Sequence, residues 1–126
     1  MIVGIGVDIV ENARISEMLE KHGPAFSAKI FTESELAYAG ERRRRIEHLA
    51  ARFAAKEAVA KALGLGMTNG ISWRDIEVVH DEAGKPSVNL TGHVADIAAA
   101  LGIRTLHLSL SHADSHSIAF VVAETA

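Results

Sequence analysis

The stretch that decides the reading is RFAAKEAVAKALG, Arg52 to Gly64. Its alanines favour helix, and Gly64 is placed to cap the C-terminal end. The helix is expected to start near Arg44 and to run to Leu63. At about 100° per residue, Glu57 and Lys61 lie side by side on it. Phe53 flanks them on one edge, Ala54 and Ala58 on the other. Arg52 and Lys56 form a second, separate polar stripe. The rest of the circumference is Ala, Val and Leu, the pattern of a helix buried in its fold. Buried charge is costly unless paired or used. Glu57 and Lys61 therefore read in two ways. They are an i,i+4 pair worth about 0.2–0.5 kcal/mol, or they meet a third party, for which a divalent cation is the natural choice.

Before this helix, IVGIGVDIV, Ile2 to Val10, reads as a buried strand. Asp8 interrupts it between Val7 and Ile9. Asp8 either caps the helix that follows or joins Glu57 in a hard-oxygen site of the kind Mg²⁺ prefers. Asn12 is expected to cap a helix to about Lys21, which HGP, His22 to Pro24, closes. A further helical turn is expected over Ala25 to Ile30. Thr32 and Glu35 have capping-box spacing, so a helix begins at Thr32.

After it, LGMTNG is read as a loop with a turn at Asn69-Gly70. Trp73 to Asp81 and Ser87 to Leu90 are read as strands around an EAGKP turn. Thr91 starts a helix that ends at Gly102. RTLHLSLSH and SHSIAFVVAE read as an antiparallel hairpin joined at Ala113-Asp114. The chain is thus expected to be one α+β domain over residues 1–126, with helices on a mostly antiparallel sheet and one long central helix.

Composition narrows the function classes. The 126 residues carry a net charge of −3, with one Trp and one Tyr. That excludes the general basic field and aromatic platform of nucleic-acid binders. Arg42 to Arg45 still form a local basic run. Without cysteine, disulfides and thiol catalysis are excluded, and a cytoplasmic location is expected. No segment has the length of a membrane span. GIGVDI lacks the third glycine of a dinucleotide fingerprint, since Ile9 stands there. GLGMTNG lacks the Gly-Lys-Ser/Thr of a phosphate loop. His112 and His116 have zinc spacing but no helix or Glu to complete a site.

GIGVDIV, FTESELAY, RFAAKEAVAKALG, the W-x-D-I-E-V strand with GKP after it, and SLSH occur in this order. Together they resemble the holo-[acyl-carrier-protein] synthase family, small bacterial 4′-phosphopantetheinyl transferases. The resemblance spans nearly the whole chain. It implies that the phosphopantetheine arm of coenzyme A (CoA) passes to a serine of apo-acyl carrier protein, with Mg²⁺, releasing adenosine 3′,5′-bisphosphate. It implies Asp8 and Glu57 as metal ligands, Glu57 or a metal-bound water as base, and Lys61 beside the diphosphate. It implies a homotrimer with sites between subunits, in which His112 reaches a neighbouring site. Arg44, Arg45, Arg52, Lys56, Gly64 and Pro86 become CoA-binding candidates, Pro86 at the adenine. The first helix resembles the carrier-docking helix through Arg14, Met18 and Lys21, with Glu17 and Glu20 diluting its basic face. A Mg²⁺-dependent nucleotide diphosphate hydrolase and a non-catalytic trimer that binds carrier or CoA are the alternatives.

Overall fold

The structure is a computed structural model that describes residues 1–66 and 71–126. The expected Asn69-Gly70 turn lies outside the described residues. In chain order the elements are β1 (Ile2–Glu11), α1 (Asn12–His22), α2 (Pro24–Ile30), α3 (Glu33–Ala39) and α4 (Arg45–Ala62). Then come β2 (Ile76–His80), β3 (Pro86–Leu90), α5 (Gly92–Ala100), β4 (Ile103–His112) and β5 (His116–Thr125). The strands form two antiparallel sheets, one of order β1-β5-β4 and one of β2-β3. The α+β expectation and the long central helix are both observed.

α4 is the axis of the core. It packs across β1 and β5, and Leu49, Ala50, Ala54, Ala55, Ala58 and Val59 are wholly buried. Small side chains let the helix sit directly on the sheet backbone. β1 contributes Gly4 and Gly6 at the contact. A Cβ at Gly6 would lie 2.0 Å from the Ala58 carbonyl oxygen, and one at Gly4 2.0 Å from that of Ala62. This close approach sets the register between Asp8 on β1 and Glu57 and Lys61 on α4.

The end of α4 is a Schellman motif. Gly64 has φ 73°, its N–H donates to the Lys61 carbonyl, and that of Leu65 donates to Ala60. The capping box at α3 also forms, with Thr32 and Glu35 bonding each other's backbone N–H.

Three local expectations change. β1 is not buried on both faces, because among the described residues it is an edge strand with α4 on one side only. Ile5, Val7 and Ile9 point outward and are 63, 51 and 62% exposed. Ile118 and Phe120 of β5 pair with Ile9 and Val7 and are exposed too, so the outer sheet face is apolar. Trp73–Asp75 is a 3₁₀ turn rather than strand. Asn12 does not cap α1; its amide donates to the carbonyls of Ala113 and Asp114 and accepts from the Ser117 hydroxyl. The asparagine thereby ties the β4–β5 turn to the start of α1.

Candidate active site

The seam between β1 and α4 gathers Asp8, Glu57 and Lys61. Lys61 Nζ donates to Asp8 Oδ1 at 3.1 Å and to the Val7 carbonyl at 3.0 Å. Lys61 thus pairs with the strand carboxylate, and no ion pair joins it to Glu57 among the described residues. Glu57 is half-buried. Burial raises its pKa above the ordinary carboxylate value, and the Asp8 charge raises it further. Lys61 and Arg14 oppose the rise. The two carboxylates are therefore close enough to repel, with two cations beside them.

Lys61 and Gly64 also line a cavity of about 350 Å³ at the C-terminal end of α4, with Val3, Ile5, Leu63 and Leu101. Arg14, Met18 and Lys21 share one face of α1, about 110° around the helix from the core-packed Ile15 and Leu19. Glu17 lies only about 40° from Lys21 on that helix. The Arg14 charge on this face is near enough to oppose the rise in the Glu57 pKa.

A second group forms on another side of α4. Arg52, Pro86 and His112 line a pocket of about 190 Å³ together with His48 and His80. Arg44 reaches the β4–β5 turn at Asp114, 3.9 Å away, beside the strand end that carries His112. Arg45 opens α4. The structure thus brings three of the expected CoA residues together and leaves Arg44 and Arg45 near them at the start of the helix.

Lys56 is the exception, and the CoA role expected for it is corrected. It is 0% exposed. Its ammonium donates to Glu35 at 2.7 Å and to the carbonyls of Trp73 and Ile76. No phosphate can reach it. Lys56 shared a stripe with Arg52 in the sequence, but Glu35, 21 residues away, claims it. His48, His80 and Tyr38 were not anticipated. They carry no local motif and meet only through the packing of α3, α4 and β2.

Comparison with known proteins bears on this arrangement. The sequence model of the 4′-phosphopantetheinyl transferase superfamily matches residues 4–121. The chain belongs to this superfamily. The holo-[acyl-carrier-protein] synthase of Koribacter versatilis is 42% identical over 124 residues, 98% of this chain and 99% of that protein. The crystal structure of the Neisseria meningitidis synthase superposes with a TM-score of 0.90 at 41% identity, covering 99% of this chain and 100% of that one. The Bacillus anthracis synthase, solved in complex with CoA (3′,5′-ADP), gives a TM-score of 0.82 at 41% identity, over 100% and 99% of the two chains. Relatives along the whole length are carrier-protein synthases, and phosphopantetheinyl transfer is the chemistry of this chain.

Proposed function

We propose that the chain transfers the 4′-phosphopantetheine group of CoA to a serine of apo-acyl carrier protein in the cytoplasm, with Mg²⁺, releasing adenosine 3′,5′-bisphosphate for fatty acid biosynthesis. The observation that carries this reading is the meeting of Asp8, Glu57 and Lys61 on the β1–α4 seam.

A hard divalent cation fits these donors. Burial raises the pKa of Glu57, and the Asp8 charge adds to the rise. Both carboxylates stay partly open, which leaves room for water and phosphate oxygens to complete an Mg²⁺ shell. Asp8 and Glu57 would hold the ion, which when bound supplies positive charge to the diphosphate. The serine oxygen attacks the phosphorus that bears pantetheine, and the P–O bond to the nucleotide breaks. Glu57 takes the serine proton, directly or through one water. Lys61 offers fixed positive charge or a proton to the departing phosphate oxygen. Few residues suffice, since positioning and electrostatics dominate phosphoryl transfer.

Helix geometry supports a site shared between subunits. His48 and Arg52 lie roughly 180° around α4 from Glu57 and Lys61, at about 100° per residue. The helix is about 10–12 Å across with its side chains. One CoA cannot reach both stripes of the same α4, because its diphosphate and 3′-phosphate are joined through a single ribose. The Arg52 pocket of one protomer would therefore serve the carboxylate pair of the next, and the family resemblance implies a homotrimer as that assembly. The exposed apolar face of Ile5, Val7, Ile9, Ile118 and Phe120 is a fitting contact surface. Arg14, Met18 and Lys21 would receive the acidic carrier.

The test mixes the protein with apo-carrier, CoA and Mg²⁺ and records the intact mass of the carrier. A gain of one phosphopantetheine that a chelator abolishes is expected. An unmodified carrier with CoA broken down would favour a hydrolase; an unmodified carrier with CoA intact would favour a binding module.

A further inference from the structure

Two histidines of the Arg52 pocket take no part in the reading above. Arg52 is 1% exposed, yet no carboxylate lies within ion-pair distance of it among the described residues. Among the described residues its Nε has no hydrogen-bond partner. A buried cation without an ion-pair partner favours an incoming anion.

Arg52 also fixes the tautomer of His80. A guanidinium only donates, and Nη2 is 3.1 Å from His80 Nδ1. Nδ1 therefore accepts, and the ring proton sits on Nε2. The ring is stacked on Tyr38 with centroids 4.4 Å apart. Adding a proton at Nδ1 would break the bond and set two cations together. Burial first, and then Arg52, hold His80 below the usual imidazole range. His80 is a neutral, fixed donor.

His48 differs. Among the described residues its ring nitrogens make no hydrogen bond. Its ring meets Tyr38 and His112 edge-on, with centroids 5.6 and 6.1 Å apart. The groups facing this pair of histidines are Tyr38 and Arg42 from α3 and its end, Glu47 and Arg52 from α4, Asp81 after β2, and His112 from β4. Burial, Arg52, His112 and Arg42 disfavour a proton on His48, and only Glu47 favours one. A phosphate dianion in the pocket would reverse that balance.

We propose that His48 and His80 are specificity residues for the phosphate monoester of the nucleotide donor, and that its binding carries a proton onto His48. This rests on the CoA reading above. His80 donates as the neutral ring; His48 gains its cation only when the pocket fills. Preference for a donor with the monoester over one without it then strengthens as pH falls.

The test is calorimetric binding of CoA and of dephospho-CoA, without carrier. It runs from about pH 8.5 to about pH 6.5, above the second phosphate pKa of about 6. CoA affinity should rise as pH falls, by up to about tenfold per unit for one linked proton. Dephospho-CoA affinity should stay level. His48→Gln should abolish the CoA slope, and its binding of dephospho-CoA reports that it is folded. His48→Lys should bind CoA tightly with no slope. His80→Phe keeps the stack and should lower the CoA preference at every pH. A level CoA profile in the wild type, or a slope that survives His48→Gln, overturns the proton coupling. Equal affinity for the two ligands overturns the pocket while leaving the transferase reading intact. Binding of neither ligand, with a carrier whose mass never changes, overturns the donor reading itself.

Discussion

Lys56 and Lys61 stand five residues apart on α4, and each meets a carboxylate from another element. Lys56 meets Glu35 at 2.7 Å, with both side chains 0% exposed. Glu35 also accepts from the backbone N–H of Thr32 and of Val78, each at 2.9 Å. α3, α4 and β2 are thus joined at one enclosed carboxylate. Lys61 meets Asp8 at 3.1 Å, but its side chain is 53% exposed. The same chemical pair serves opposite ends. The enclosed one is satisfied on every side and cannot rearrange without leaving bare charge in the core. The open one can exchange partners at small cost when metal or phosphate arrives. Satisfaction and enclosure separate the pair that builds the fold from the pair left for chemistry.

The comparison breaks most readily at Lys56. Lys56→Ala should cost about 3–5 kcal/mol in urea unfolding, because Glu35 is left charged and unpaired. Adding Glu35→Gln should recover part of that loss, since the amide oxygen can still accept from Val78. Wild-type unfolding of Lys56→Ala would show that the enclosed pair does not hold the fold. Asp8→Ala and Glu57→Ala should do the reverse. Each should slow transfer by about 10²–10³-fold, read from carrier mass against time, as for loss of a charge-stabilising group. Their unfolding midpoints should stay near wild type. Lys61→Met should slow transfer by about 10²-fold, and it should cost no more than about 1 kcal/mol of stability. A Lys61→Met variant that unfolds while keeping its rate would exchange the roles of the two lysines.

Much of this was legible in the sequence, and the losses have physical causes. Helix periodicity, the Thr32–Glu35 box and Gly64 mark α3 and α4, since each is a local signal closed within a few residues. Asp8, Glu57 and Lys61 were visible as charges in apolar surroundings. The fate of Lys56 was not, because its partner comes from another helix and the wheel puts it beside Arg52. The apolar run of β1 suggested burial on both faces; alternation cannot show that one face lacks a partner within the chain. His48, His80 and Asn12 act through neighbours distant in sequence, so no spacing rule finds them.

A smaller effect concerns the border of the open site. Arg14→Glu should raise the apparent KM for carrier roughly tenfold, the scale of a reversed interface charge, with the KM for CoA much less affected. Equal changes in both would move Arg14 from docking to the reacting groups.

The smallest effect separates the two faces of α4 by pH. His48 and His80 are held below their ordinary imidazole values. The folded chain therefore binds fewer protons than the unfolded chain near pH 6.5, the usual imidazole value of about 6.5 being the unfolded reference. Their share of stability is complete above that value and declines as pH falls below it. Urea midpoints should drop accordingly, and His48→Gln should drop less. CoA should act in the opposite sense, because a filled pocket favours the proton that the empty pocket resists. The CoA-induced rise in melting temperature should grow as pH falls while the free protein weakens. Lys61→Met, on the far side of the helix, should leave that crossing of slopes in place; if it removes the crossing, the two faces are not independent.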